Sequence, residues 1–194
     1  MNRRFFIWAA IAGLVLDRIP KLIVQGMFTS GAFSDGREFR LLGDVLKVTY
    51  ASNPYGLFSF NYGPPFMYFI LPLGAAALVV WYGFRSDNPW SATAFGLILS
   101  GALGNVIDRA GLGYVVDFLL LQVPGRSVTL FARFPVSPWP VFNLADAFVV
   151  AGVVILLGKE FVGRSKARIE KRAVGSSVLR PEPSTPGTPE PDFH

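Results

Sequence analysis

The groups in this chain that can do chemistry are carboxylates and amides. There is no cysteine, and the single histidine, His194, is the last residue. Thiolate nucleophiles, disulfides, Cys-ligated metals and His-assisted hydrolysis therefore lack their parts. Three aspartates stand in apolar surroundings: Asp108, Asp117 and Asp146. Ionisable groups inside or at the edge of an apolar span are costly and by default mark function. Asn105 and Asp108 are three apart, as are Asn143 and Asp146, so on a helix each amide shares a face with an acid. Two carboxylates in a low-dielectric site resist double ionisation and tend to share one proton, which divides them into base and acid. One can then activate a water while the other protonates the carbonyl oxygen or the leaving amine. That is amide hydrolysis without Ser, Cys, His or metal, with Arg109 available to neutralise a neighbouring acid. For any one of these acids, a helix-helix hydrogen bond or a salt bridge is the competing explanation. No H-E-x-x-H, G-x-S-x-G, G-x-G-D or Gly-rich phosphate loop is present; Leu42-Gly43-Asp44 comes nearest to the third.

The elements that must carry these acids are long and apolar. Of the 194 residues, 52% are hydrophobic and only 16% charged, against about 25% charged in a soluble domain, so a membrane protein is expected. About 20 apolar residues cross a bilayer core, and charge-poor runs place four spans at about 5–24, 66–84, 89–107 and 141–158. The Asp17-Arg18-Ile19-Pro20-Lys21 stretch interrupts the first, and Pro64 and Pro65 precede the second. Ala10-Ile11-Ala12 would cut the first apolar run too early for a cleaved signal peptide, so that run is expected to remain as an anchor. Arg3 and Arg4 precede the first span, and Lys159, Arg164, Lys166, Arg168, Lys171 and Arg172 follow the fourth. The positive-inside rule then puts both termini in the cytoplasm and the three acids near the outer face. The net charge of +5 thus reads as an orientation signal, and no nucleic acid partner is expected.

The expected fold class is a membrane all-α protein: four transmembrane helices, a small outer β-containing portion and a disordered C-terminal tail. Short strands are expected within Val48–Phe60 and Ser127–Phe131. Residues 1–165 form the expected four-span domain, and 166–194 a basic then Pro-rich cytoplasmic tail, disordered from Ala173. No cofactor or metal is expected, and the chain is expected to act as a monomer.

Three blocks, Gly101-Ala102-Leu103-Gly104-Asn105-Val106-Ile107-Asp108-Arg109, Gly113-Tyr114-Val115-Val116-Asp117-Phe118 and Pro140-Val141-Phe142-Asn143-Leu144-Ala145-Asp146-Ala147, together resemble the signatures of bacterial lipoprotein signal peptidase, signal peptidase II. The Asp17-x-x-x-Lys21 element and an Asn53 segment ending in Phe58-Ser59 are similar to family features as well. The resemblance covers about residues 5–160. It implies a multi-pass aspartyl endopeptidase of the bacterial inner membrane that cuts diacylglyceryl-modified prolipoproteins before the lipidated cysteine, in contact with membrane lipid. It also implies that Asp117 and Asp146 are the catalytic pair, with Asn53, Asn105, Asp108, Arg109, Asn143, Asp17 and Lys21 shaping the site or binding substrate. Asp108 becomes support, held by Arg109 or by backbone donors. Two departures stand out: Asn53-Pro54-Tyr55-Gly56 puts a ring where the family commonly has a glycine, and Phe118 to Pro140 is longer than usual.

Other residues have structural explanations. Asp17 and Lys21, at i,i+4, read as an ion pair at the outer end of the first helix. Ser100, Gly101 and Gly104 offer a small-residue face for close helix contact. Trp81, Tyr82, Trp90 and Trp139 suit interfacial belts. The alternative from another class is a non-enzymatic protein, a proton-coupled transporter or a lipid-binding module, using the same acids as a relay. Transporters often carry repeated halves, and no internal repeat is evident here.

Overall fold

The computed structural model describes residues 2–33, 37–55, 63–64, 66–125, 128–130 and 134–178. One compact unit covers Met1–Leu156, and a second, Leu157–His194, is described only where it is helical. In chain order the elements are α1 (Arg3–Thr29), β1 (Phe39–Leu42), β2 (Leu46–Asn53), α2 (Met67–Arg85), α3 (Pro89–Leu112), β3 (Val115–Leu121), β4 (Val128–Leu130), β5 (Phe134–Ser137) and α4 (Leu144–Val178).

Local chemistry sets the helix ends. The Asn88 side chain accepts from the N–H groups of Trp90 and Ser91 at 3.0 and 3.2 Å, and Pro89 occupies the first turn of α3. At the other end Gly113 adopts φ 81°, a left-handed stop that glycine takes without penalty, and its N–H donates to the Arg109 carbonyl. So α3 runs beyond the expected end at Ile107 and carries Asp108 and Arg109 inside its last turns. Helix α1 likewise continues through Pro20 to Thr29, past the expected end near Val24. Helix α4 starts at Leu144 instead of Val141, because Asn143 caps it. It continues to Val178, which corrects the expectation of disorder from Ala173. No proline interrupts the chain between Ala173 and Val178, and the first helix-incompatible residue is Pro181. Residues 179–194, the rest of the expected tail, lie outside the described residues.

Strands β1, β2 and β3 form an antiparallel sheet in that order, and β4 pairs with β5. The expected strand segment 48–60 is realised as β2, with 56–60, including Phe58 and Ser59, outside the described residues. Of the expected 127–131, Val128–Leu130 forms β4. Strand β3 was not expected, although the run Val115-Val116-Asp117-Phe118-Leu119-Leu120-Leu121 after the Gly113 stop has strand character. Of β1, β2 and β3 it is the most buried: Val115, Val116, Phe118 and Leu119 are all buried, and Val24 and Phe33 pack with them. A second cluster, Phe6, Ala76, Ala92 and Leu99, joins α1, α2 and α3.

Among the described residues two helices, Met67–Arg85 and Pro89–Leu112, are long and apolar enough to cross a membrane. In α1 the usual arrangement is inverted. Asp17 and Lys21 face inward with Phe6, Gly13 and Val24, whereas Trp8, Ile11, Val15, Ile19, Leu22 and Ile23 face outward. A helix in water places these groups the other way round.

Small residues let α3 approach its neighbours. A Cβ on Gly101 would strike the Ala145 carbonyl and the Val149 side chain, and one on Gly104 would strike the Asp17 carboxylate. Ser100 lies against Gly13 in the same way. The expected packing role of this face is what the structure contains.

Candidate active site

Asp117 and Asp146 reach the site from different kinds of element. Asp117 lies on β3, where Ala51 of β2 pairs with it and Asn53 pairs with Val115. Asn53 and Asp117 are therefore diagonal neighbours on one face of the sheet, and the Asn53 amide donates to Asp117 Oδ2 at 2.9 Å. Asn53 Oδ1 itself accepts from the Tyr55 N–H at 3.0 Å.

Asp146 is in the first turn of α4 and belongs to a reciprocal cap. Asn143 Oδ1 accepts from the Asp146 N–H at 3.0 Å, and Asp146 Oδ2 accepts from the Asn143 N–H at 3.4 Å. This leaves the Asn143 amide nitrogen for other work. It donates to Asp117 Oδ1 at 2.7 Å and lies 3.1 Å from Asn105 Oδ1. Asn105 in turn donates from Nδ2 to Asp146 Oδ1 at 2.9 Å. Each carboxylate thus accepts from two N–H groups, and three side-chain amides stitch the two acids together.

Behind this layer lies a layer of ions. Lys21, with 1% of its surface exposed, places its ammonium 2.9 Å from each of Asp17 Oδ2, Asp108 Oδ2 and Asn105 Oδ1. Asp17 Oδ1 accepts the Ala145 N–H at 2.9 Å, so α1 helps to cap α4. Asp108 is paired by Arg18 as well as Lys21 and accepts the Val116 N–H at 3.2 Å. The backbone support expected for Asp108 is there, but its cations come from α1. Arg109 points elsewhere and donates to the Tyr55 carbonyl at 2.7 Å. One turn separates Arg109 from Asn105, so its side chain leaves α3 toward the β2 end.

Two cavities meet at the acids. One, of about 340 Å³, is bounded by α2, α3 and β3 and includes Tyr68, Leu71, Ala102 and Val115. The other, of about 480 Å³, is bounded by β3, residues 139–142 and α4 and includes Leu121, Trp139, Val150 and Val154. Asn53, Asp117 and Asp146 line both. Asp117 is only 2% exposed. Burial raises its carboxyl to about 7, and the nearby Asp146 charge pushes the same way, against the hydrogen bonds from Asn53 and Asn143 and the charge of Lys21.

All the sequence-selected residues gather here: Asp117, Asp146, Asn53, Asn105 and Asn143 in the inner layer, Asp17, Lys21 and Asp108 behind it, and Arg109 at its edge. Sequence reasoning missed Arg18 and the Ala145 N–H, and it read Gly104 as a helix-packing position without the Asp17 carboxylate that packs there. Only Arg18 carried a signal, since it adjoins Asp17 in the charged interruption of an apolar helix.

A sequence model of the family described as signal peptidase (SPase) II matches residues 9–162. The chain belongs to the signal peptidase II family. Membership makes it a protease. A lipoprotein signal peptidase of Chlorobaculum tepidum is 40% identical over 154 residues, covering 78% of this chain and 91% of the relative. One from Mycolicibacterium smegmatis is 29% identical over 193 residues, covering 96% of this chain and 74% of the relative. A bacterial membrane enzyme solved by the in meso method is similar in fold, with a TM-score of 0.67 at 25% identity, covering 83% of this chain and 90% of that one. The three-block resemblance to signal peptidase II is therefore correct, and the transporter and lipid-binding alternatives fall away.

Proposed function

We propose that this signal peptidase II member removes signal peptides from diacylglyceryl-modified prolipoproteins, cutting before the lipidated cysteine with Asp117 and Asp146 as the catalytic pair. One observation carries the assignment: the two acids are held by amide donors at the boundary shared by two largely apolar cavities. Amides orient carboxylates without neutralising them, so the pair shares a proton. The ionised member takes a proton from water as the water attacks the scissile carbonyl. The protonated member donates to the carbonyl oxygen, and the leaving amine is protonated as the intermediate collapses. Asn53, Asn105 and Asn143 keep both carboxylates aimed while this happens, and Arg109 holds the backbone at Tyr55 beside them.

The chain crosses the bacterial inner membrane four times in this proposal, with both termini in the cytoplasm and the acids near the outer face. The inward polar stripe and outward apolar face of α1 support its spanning. On α4, outward-facing Val150, Val153, Val154 and Leu157 support the fourth span. Substrate acyl chains then stay in the bilayer while the peptide enters between the helices, and water reaches the acids from the surface.

The experiment is to offer the purified protein a lipidated peptide and its unlipidated twin. Cleavage of the lipidated form alone is the expected result. Equal cleavage of both would remove the lipid from the assignment, and cleavage of neither would remove the substrate class.

A further inference from the structure

Lys21 is a buried ammonium 2.9 Å from three oxygens: it donates a hydrogen bond to Asn105 Oδ1 and is ion-paired with Asp17 Oδ2 and Asp108 Oδ2. Neutralising Asp108 does not account for it, because Arg18 already pairs with that acid. The other two contacts lead to the same place. An ammonium only donates, so the Asn105 atom facing it is the amide oxygen. Asn143 Nδ2, 3.1 Å from the same oxygen, favours the same orientation. The Asn105 amide nitrogen is thereby turned to Asp146 Oδ1 at 2.9 Å. A flipped Asn105 would present its oxygen to that carboxylate. Through Asp17, Lys21 acts on the backbone: it holds Oδ2, while Oδ1 takes the N–H of Ala145, the residue before Asp146.

We propose that Lys21 is the positioning residue for Asp146, holding its carboxylate through Asn105 and its helix turn through Asp17, an inference that rests on the peptidase assignment above. Gly104 is the accessory that makes the second arm possible, because any Cβ there would occupy the place of the Asp17 carboxylate. The charge of Lys21 also reaches Asp117, where it favours the ionised carboxylate against burial. The other charged groups around the pair are Asp17 and Arg18 from α1 and Asp108 and Arg109 from α3, and substituting Lys21 alone leaves these four residue types unchanged.

The test compares Lys21→Met, Asn105→Ala and the double variant, in the full chain in lipid, cleaving a lipidated pro-peptide. Misplacing a catalytic group by about an ångström costs on the order of 100-fold, so each single variant should lower kcat by roughly 30- to 100-fold and leave KM within about 3-fold. The double variant should be no slower than the slower single, since Asn105 is one of the two arms through which Lys21 acts on Asp146. In Lys21→Met the acid limb of the pH profile should also move to higher pH, a change that loss of folded protein does not produce. Multiplying effects, a KM rise with kcat kept, or an unmoved acid limb would overturn the proposal. Lys21→Met leaves Asp17 buried without its cation and so threatens folding; the charge-balanced pair Asp17→Asn/Lys21→Met avoids this. It should lose kcat to a similar extent, and parental kcat in it would also overturn the proposal. Asp146→Asn separates the two levels. If it still cleaves, the peptidase assignment of Asp146 fails. If it is inactive while Lys21→Met matches the parent, only the positioning role fails.

Discussion

Two pairs of acids sit back to back in this molecule and are supported in opposite ways. Asp17 and Asp108 are held by the cations Lys21 and Arg18. Asp117 and Asp146, on the other side of Asn105 and Asn143, accept from amides and one backbone N–H. A cation cancels the charge of a carboxylate and ties it to one place, and breaking a buried pair of that kind typically costs about 3–5 kcal/mol. An amide fixes direction and leaves the charge, so neighbouring acids compete for a proton. In the proposed mechanism the cation-held pair serves as framework, and the amide-held pair keeps the proton exchange that hydrolysis needs.

The contrast breaks most visibly at the acids themselves. Asp117→Asn or Asp146→Asn should lower cleavage of a lipidated pro-peptide by about 10³-fold or more while the protein stays folded, as read by initial rates and thermal unfolding of the same samples. Near-parental rates in either would place the chemistry elsewhere.

Asn143→Ala touches both halves of the comparison, because one side chain caps α4 and donates to Asp117. A loss of about 100-fold in kcat is expected, together with about 1 kcal/mol of stability for the lost cap. Rates and unfolding midpoints that move independently of each other in this variant would show that cap and site are not coupled.

Gly104→Ala probes the framework alone. Its Cβ meets the Asp17 carboxylate, and overpacking of this kind costs about 1–3 kcal/mol, visible as a lower unfolding temperature. An unchanged midpoint would mean that the α1-α3 contact yields without cost.

The amide-held pair also predicts a pH dependence. The Asp117 carboxyl is raised to about 7 in the folded protein from about 3.9 in an unfolded chain. The folded state then holds the extra proton, so ionising this group weakens folding as pH climbs from about 4 to 7, and the loss is complete above that window. Asp117→Asn lacks this ionisation, so its unfolding midpoint should gain on the parent between pH 5 and pH 8. A constant difference would show that Asp117 is not held in its protonated form by the fold.

Much of this was legible before any coordinates, and the reason lies in local chemistry. Charge is so sparse that Asp108, Asp117 and Asp146 were conspicuous, and the i,i+3 spacing of Asn143 and Asp146 marked them as partners, though as residues on one helix face and not as a cap. Asn105 and Asp108 were also placed together, and they share Lys21, but beyond it Asn105 reaches Asp146 whereas Asp108 reaches Arg18. Such long-range choices leave no local trace: Asp17 meets the N–H of Ala145 only because Gly104 admits it between the helices. Strand β3 was missed because its apolar run satisfies helix and strand patterns alike, and pairing with β2 decides between them.

The central claim, that the amide-held pair activates water and does not attack the substrate itself, is tested most directly by a single turnover in ¹⁸O-water. The new C-terminal carboxylate of the released signal peptide should carry one solvent oxygen in that first turnover, a gain of about 2 Da by mass spectrometry. An unlabelled first product, with ¹⁸O retained on Asp117 or Asp146, would mean that a carboxylate had formed a bond to the substrate and would contradict the account.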